Sequence, residues 1–323
     1  MKNKFVFYCK SYENDFSRLE TLVQTFEKYN CDNIKLFISI PEGDFPYFKI
    51  ILSNNIILIS DESFASEYLT EDDYLDKTSG YLNQEICKLV FYKSNFSENY
   101  FCLDSDSQFI RPFYYNDFMF NDYTPYTVLV QDKDLSIDKD YHNKFWVPRL
   151  VSIKNIYNCV GLNDNRYRTC HGHQTFNSKV LYSLEIDFMI PKGFSFLDLI
   201  KLEPYEFTWY NAWFQKCKIV DEVSTEPIFK TLHTRRDYLF SKLQLLKLSD
   251  FSYAYVGIVL NSKWKPKTPL KYNDPNFLYY LVNYLLTLRI WFFNDFRFNL
   301  SIYFIQPLNK ILNKLRMFFI AKD

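Results

Sequence analysis

The chain has 323 residues, of which 38 are basic and 38 acidic, so its formal net charge of +0 supplies no global field for nucleic acid, and no nucleic-acid partner is expected. Hydrophobic residues make up 48% and aromatics 20%, with only 6 glycines, which excludes collagen-like, glycine-linker and generally disordered chains. A chain of this length buries roughly 75% of its unfolded surface, enough for one large core or two unequal domains and for an enzyme cleft.

The cysteines at positions 9, 31, 87, 102, 159, 170 and 217 form no Cys-x-x-Cys pair, which suits free thiols in a reducing compartment and argues against structural zinc. The opening stretch is soon interrupted by Lys10, Glu13 and Asp15, unlike a secretory leader, and a cytoplasmic location is the expectation.

Phe5 to Cys9 reads as a first strand, and Asp15 to Tyr29 places Phe16, Leu19, Leu22, Val23 and Phe26 at helical spacing. Ile34 to Ser39 reads as a second strand, Pro41 to Asp44 as a turn, and Asn55 to Ser60 as a short buried strand ending at Asp61 and Glu62. Strands alternating with helices predict a largely parallel sheet. Gly80 to Tyr92 reads as a helix with Ile86, Leu89 and Val90 toward the core, and Gln84 and Lys88, four apart, share one face.

Tyr100 to Leu103 then reads as an apolar strand that stops at Asp104-Ser105-Asp106. In open α/β sheets the carboxyl ends of strands are where ligands bind. Two carboxylates one residue apart at such an end can turn together toward Mg2+ or Mn2+, leaving coordination positions for water and phosphate, although a solvated polar turn also contains aspartates. Arg111-Pro112 disfavours continuation of regular structure; Val128 to Val130 is a weaker strand, Lys144 to Cys159 a helical region, and Gly193 to Lys201 and Glu206 to Trp213 are further helices. No repeat of 20 to 50 residues is evident, so a solenoid is disfavoured.

Three more runs carry candidate chemistry. In Cys170-His171-Gly172-His173-Gln174-Thr175-Phe176, Gly172 permits a turn while His171, His173, Gln174 and Thr175 offer donors and acceptors to a hydroxyl-rich ligand; structural histidines or a metal pair are the alternatives. Glu206 and Tyr210 fall together across one helical turn, where a carboxylate could take the proton of an attacking sugar hydroxyl or merely cap the helix. His233, followed by Arg235 and Arg236, could serve a phosphate, cap a helix or face solvent.

The runs Gly80-Tyr-Leu-Asn-Gln84-Glu-Ile-Cys-Lys88 and Leu103-Asp104-Ser-Asp106-Ser-Gln-Phe-Ile-Arg111-Pro resemble the donor-site core of bacterial GT-A-type glycosyltransferases, in particular a branch with a Gln-and-Lys helix before its Asp-x-Asp strand. The resemblance spans about residues 1 to 240 in organisation and is sharp near 80–112, 171–177 and 203–211. It implies an α/β, GT-A-like fold: a Rossmann-related, mostly parallel central sheet flanked by helices, with a helical C-terminal extension. It also implies that Asp106 binds the metal directly, that Asp104 shares the metal or the ribose, and that Gln84, Lys88 and Arg111 support the nucleotide-sugar donor. Glu203 to Tyr210 resembles the acceptor-side helix, which makes Glu206 the base candidate and Tyr210, His171, His173, Gln174 and Thr175 substrate contacts. His233 resembles a late histidine that completes the metal site in some members.

These readings divide the chain into a catalytic domain, 1–240, and an aromatic-rich basic region, 241–323. Residues 271 to 323 carry seven Lys/Arg against three Asp/Glu, and Leu308 to Phe319 is amphipathic, so peripheral contact with the cytoplasmic face of an anionic inner membrane is expected, with packing on the core or homo-oligomer formation as alternatives. The expected activity is transfer of a sugar from a nucleotide-diphosphate donor to a saccharide or glycolipid hydroxyl in bacterial surface-polysaccharide synthesis. A sugar-nucleotide hydrolase or pyrophosphorylase and a non-enzymatic carbohydrate-binding protein are the alternatives.

Overall fold

A computed structural model of the chain describes residues 2–48, 52–75, 77–137, 139–164, 166–170, 172–234, 237–238, 241 and 246–261. The expected C-terminal helices, with the membrane and oligomer roles attached to them, lie outside the described residues, as does His171. Among the described residues no helix is long and apolar enough to cross a membrane.

Two compact units are present, one of Met1–Thr231 with Ser252–Leu260 and one of Leu232–Phe251 with Asn261–Asp323. The first contains the central sheet. Its strands β1 (Asn3–Lys10), β2 (Leu36–Ile40), β3 (Ile56–Ser60) and β4 (Ser97–Leu103) run parallel, and β7 (Thr175–Asn177) closes one edge antiparallel to β4, giving the order β3-β2-β1-β4-β7. The mostly parallel α/β sheet expected from strand and helix alternation is therefore present, with a mixed edge. Sequence reading found β1 to β4 because a parallel strand covered on both faces is a continuous apolar run; β2 is buried along its whole length.

Side chains on successive β1 positions enter opposite layers of the core, as the pleat requires. Val6 and Tyr8 join one apolar cluster, and Phe5, Phe7 and Cys9 the other. In the second layer Phe7 meets Phe26, Phe101, Phe109, Phe113 and Phe118 edge-on, with ring centroids between 4.9 and 5.8 Å, the arrangement that aromatic quadrupoles favour. In the first, Tyr8 stacks on Phe91 at 4.1 Å.

Helix boundaries follow local chemistry. Helix α1 (Phe16–Tyr29) buries Leu19, Leu22, Val23 and Phe26 as its spacing predicts. Helix α2 (Ser79–Val90) begins where Thr78 accepts a hydrogen bond from the Tyr81 N–H, an N-cap that meets one of the orphan donors of the first turn. The region expected to be helical from Lys144 forms α3 (Val147–Val160), and α4 (Phe196–Leu202) starts one residue after its capping Ser195. Helix α5 (Glu206–Cys217) is enclosed on all sides from Glu206 to Gln215 and stops at Lys218, which turns left-handed.

The small strands are where structure departs from sequence. The strand expected at Val128–Val130 is β6 (Tyr126–Val128), paired in parallel with β8 (Val223–Thr225), while Val130 instead bridges Thr169. A three-stranded sheet of β5 (Ser107–Phe109), β9 (Phe229–Leu232) and β10 (Gly257–Leu260), ordered β5-β10-β9, gives no sequence signal, because strands of three or four residues are too short for periodicity.

Gly257 opens β10 opposite Phe109, and a Cβ there would lie 2.1 Å from Phe229 Cε1 and 2.7 Å from the Gln108 carbonyl oxygen. Gly257→Ala is expected to destabilise the protein by about 2–3 kcal/mol through overpacking, read as a lower midpoint in urea unfolding.

Candidate active site at the carboxyl edge of the sheet

From β1 the chain builds β2 and β3 on one side, and β4 then pairs with the other side of β1. The strand order therefore reverses between β1 and β4, and in open α/β sheets ligands bind outside the carboxyl ends of the strands at such a switch point. Lys10 ends β1, and Asp104 is the first residue beyond β4.

Helix α2 delivers the side chains beneath Asp104. Gln84 and Lys88 lie one turn apart, and both reach it: Gln84 Nε2 donates to Asp104 Oδ1 at 3.2 Å, and Lys88 Nζ lies 2.8 Å from the same oxygen. The Lys88 ammonium also donates to Glu206 Oε1 at 2.7 Å and sits 5.0 Å from the centroid of the Phe207 ring. Its carbonyl accepts the Tyr100 hydroxyl at 2.7 Å, which fixes α2 against β4. Lys88 is 2% exposed and Glu206 5%, whereas the Asp104 side chain keeps 34% of its surface open.

These contacts set the charges. Burial works against ionisation of Asp104, but the Lys88 ammonium, with hydrogen bonds from Lys88 and Gln84, outweighs it and lowers the carboxyl to about 2. Burial likewise opposes the charge on Lys88, yet Asp104 and Glu206 hold the ammonium well above its ordinary value. Glu206 is lowered in spite of burial, by Lys88 first. Its place as first residue of α5 adds the positive end of the helix dipole.

The Asp104-Ser105-Asp106 segment is a tight turn. The Ser107 N–H donates to the Asp104 carbonyl at 3.0 Å, the Asp106 carbonyl accepts from Leu260 N–H at 3.2 Å, and Ser105 Oγ donates to Asp15 Oδ2 at 2.8 Å. Asp15 in turn pairs with Arg18. At the end of β1, Lys10 Nζ lies 2.8 Å from Asp61 Oδ2 and donates to the Ser11 carbonyl at 2.6 Å. Fixed charges of both signs thus gather at the carboxyl ends of β1 and β4.

His173 is buried beside the turn. Its Nε2 is 2.6 Å from Ser107 Oγ, and its Nδ1 has no hydrogen-bond partner among the described residues. Burial lowers the imidazole to about 4 although Asp104 acts in the opposite sense, so His173 is neutral at physiological pH.

Of the residues singled out from sequence, the structure brings Gln84, Lys88, Asp104 and Glu206 into one network and hydrogen-bonds His173, just before β7, to Ser107 of the strand that follows the Asp-x-Asp turn. It does not gather Arg111, Gln174, Thr175 or Tyr210. Arg111 pairs with Asp117 at 2.9 Å and donates to the Pro112 carbonyl. Gln174, Thr175 and Tyr210, expected to face substrate, are fully enclosed: Gln174 Nε2 donates to Asn211 Oδ1, Thr175 lies in β7, and the Tyr210 hydroxyl accepts the Asn177 N–H while its ring stacks on Phe176 at 4.3 Å. The Gln174 amide and the Tyr210 hydroxyl fasten β7 and the residue before it to α5. Glu206, expected to meet an acceptor hydroxyl, instead places its carboxylate on a buried ammonium, and a base must come within reach of the proton it removes. His233 directly follows β9 and belongs to the second unit.

Sequence reading passed over Glu85, Lys10 and Asp61. Glu85 was findable, since it precedes Lys88 by three residues and so shares the helix face. Lys10 and Asp61 join only through the pairing of β1, β2 and β3.

Among the described residues no group of three or more His, Cys, Asp or Glu is arranged to hold a metal ion. The carboxylates nevertheless fit Mg2+ or Mn2+: Asp104 is ionised and partly open, its oxygens are hard donors, and such ions are commonly held by one or two carboxylates with water and phosphate completing the shell.

Residues 7–147 match the model of a family of unknown function, DUF6492, a span that includes Gln84, Lys88, Asp104 and Asp106. No curated protein matches the chain in sequence. Among solved structures, mouse xyloside xylosyltransferase 1 in its apo form is similar with a TM-score of 0.44 and 8% identity, over 81% of this chain and 99% of that one. The apo WbbM bifunctional glycosyltransferase is similar with a TM-score of 0.44 and 10% identity, over 82% of this chain and 47% of that one.

Removing the Lys88 charge strands two carboxylates, so Lys88→Met is expected to cost about 3–5 kcal/mol in denaturant unfolding. The His173 imidazole gives a pH signature. Unfolded chains take up its proton near pH 6.5 and the folded protein only near 4, so this residue lowers stability as pH falls through that window, by about 3 kcal/mol in all. Melting temperatures of His173→Gln measured from pH 7 to 4 are expected to fall less steeply than those of the wild type.

Proposed function

We propose that the protein is a metal-dependent glycosyltransferase that moves a sugar from a nucleotide-diphosphate donor to a hydroxyl of a saccharide or glycolipid, in synthesis of a bacterial surface polysaccharide. The observation that carries this reading is Asp104, held ionised and partly open at the reversal of strand order by a buried lysine and a glutamine. The resemblance of residues 80 to 112 to the donor-site core of GT-A-type enzymes supports the same reading.

On this reading Asp104 and Asp106 would hold Mg2+ or Mn2+, which supplies positive charge against the leaving diphosphate. Lys88 and Gln84 fix one Asp104 oxygen and leave the carboxylate partly open. The turn hydrogen bonds to Ser107 and Leu260 hold the backbone that carries both acids. His173, neutral and hydrogen-bonded to Ser107, braces the turn without adding charge.

A library of nucleotide sugars and acceptors, read by mass spectrometry with and without Mn2+, tests the proposal. A glycosylated acceptor formed only with metal is the expected result. Donor cleavage without transfer would assign a hydrolase, and glycan binding without nucleotide binding a carbohydrate-binding protein. Asp104→Asn and Asp106→Asn are each expected to weaken metal-dependent donor binding about tenfold or more while the far-ultraviolet circular dichroism stays unchanged.

A further inference from the structure

We infer that Glu85 and Glu206 share a single proton, and that this buried acid pair anchors the Lys88 ammonium beneath Asp104, which makes both acids positioning residues. The two residues, 4% and 5% exposed, are in direct contact: the Glu206 N–H donates to Glu85 Oε2 at 3.3 Å, while Glu206 Oε1 takes the Lys88 ammonium at 2.7 Å. Two neighbouring carboxyl groups removed from water cannot both ionise, so one of them keeps its proton. Charge balance requires it too. Lys88 faces three acids, Asp104, Glu206 and Glu85, and three ionised carboxylates around one enclosed ammonium would leave two negative charges uncompensated at low dielectric.

The geometry also says which acid carries the proton. Glu206 has the ion pair to Lys88 and the amino end of α5, both of which favour its anion. Glu85 lies in the middle of α2, among Tyr81 one turn before it, Glu206 of α5 and Lys88 one turn after it, and burial followed by the neighbouring Glu206 charge pushes it well above the ordinary carboxylate range. Glu85 is therefore the neutral acid, and it donates to Glu206. The donor hydrogen bond fixes the Glu206 carboxylate, Glu206 fixes Lys88, and Lys88 fixes Asp104. Glu206 then acts on Asp104 through the lysine and does not touch the acceptor.

The shared proton is independent of the proposed reaction, whereas its consequence for donor binding rests on that reading, and the two are tested separately. Infrared difference spectroscopy of the full chain at neutral pH is expected to show the carbonyl stretch of a protonated, buried carboxylic acid that disappears in Glu85→Gln. Absence of this band, or its survival in Glu85→Gln, overturns the proposal whether or not the protein binds a nucleotide sugar. Glu85→Gln is also expected to melt at or above the wild-type temperature at pH 8, because an acid held neutral loses stabilisation as pH rises above its unfolded value, and an amide does not. In titration calorimetry with a nucleotide-sugar donor and Mn2+, Glu85→Ala is expected to bind about tenfold more weakly, Glu85→Gln to recover most of that loss, and Glu206→Gln to remain weak. A Glu85→Gln variant as weak as Glu85→Ala would show that the site needs a second negative charge and would also end the inference. A wild-type chain that binds no donor while the infrared band is present would count against the proposed reaction alone.

Discussion

The ammonium of Lys88 is the contact on which the site depends. It is buried between residues of α2, β4 and α5, and it can remain charged there only because Asp104 and Glu206 both pair with it. An isolated ammonium at that depth would lose its proton or remain hydrated, and either would open the packing around Phe207 and Tyr100. The lysine thus ties three elements together and, in doing so, keeps a carboxylate ionised at the carboxyl end of β4. Structure and chemistry use one charge.

The aromatic core makes that placement rigid. Phe7 and Tyr8 project to opposite faces of β1, each into a set of rings, so β1 cannot slip by one residue without exchanging both layers. Since β4 pairs with β1 over six positions, the site of Asp104 relative to Lys10 is fixed by the same register. The turn that follows is held by backbone hydrogen bonds to Ser107 and Leu260, so the acids sit on a frame and not on a free loop.

Several polar side chains that look like ligand contacts in the sequence are fasteners instead. Gln174 and Asn211 join amide to amide, the Tyr210 hydroxyl accepts the Asn177 N–H, and Asn177 Nδ2 donates to Asn99 Oδ1 at 2.7 Å. Buried polar groups cost free energy unless paired, so such a chain of partners specifies how the antiparallel edge strand meets α5. A polar residue in a chain this aromatic is therefore as much a sign of a specified interior as of a binding face.

What the sequence by itself determined is the parallel core and its acidic end. Short, largely apolar runs at Phe5–Cys9, Ile34–Ser39 and Tyr100–Leu103, rich in aromatic and branched residues, suit buried strands, and a run that stops at Asp104-Ser105-Asp106 marks its own carboxyl end. Gln84 and Lys88 were legible as one helix face because 3.6 residues per turn fixes neighbours four apart. Only the tertiary structure decided what that face meets. The acid opposite Lys88 comes from residue 206, 118 positions away, and whether the Glu206 carboxylate points to a crevice or to a lysine depends on the rotation of α5 about its own axis. Periodicity cannot set that rotation for a helix buried all round, since such a helix has no polar face to orient it. The same holds for the strands of three or four residues and for the Lys10 and Asp61 pair, which exist only as long-range pairings between segments that carry no local signal.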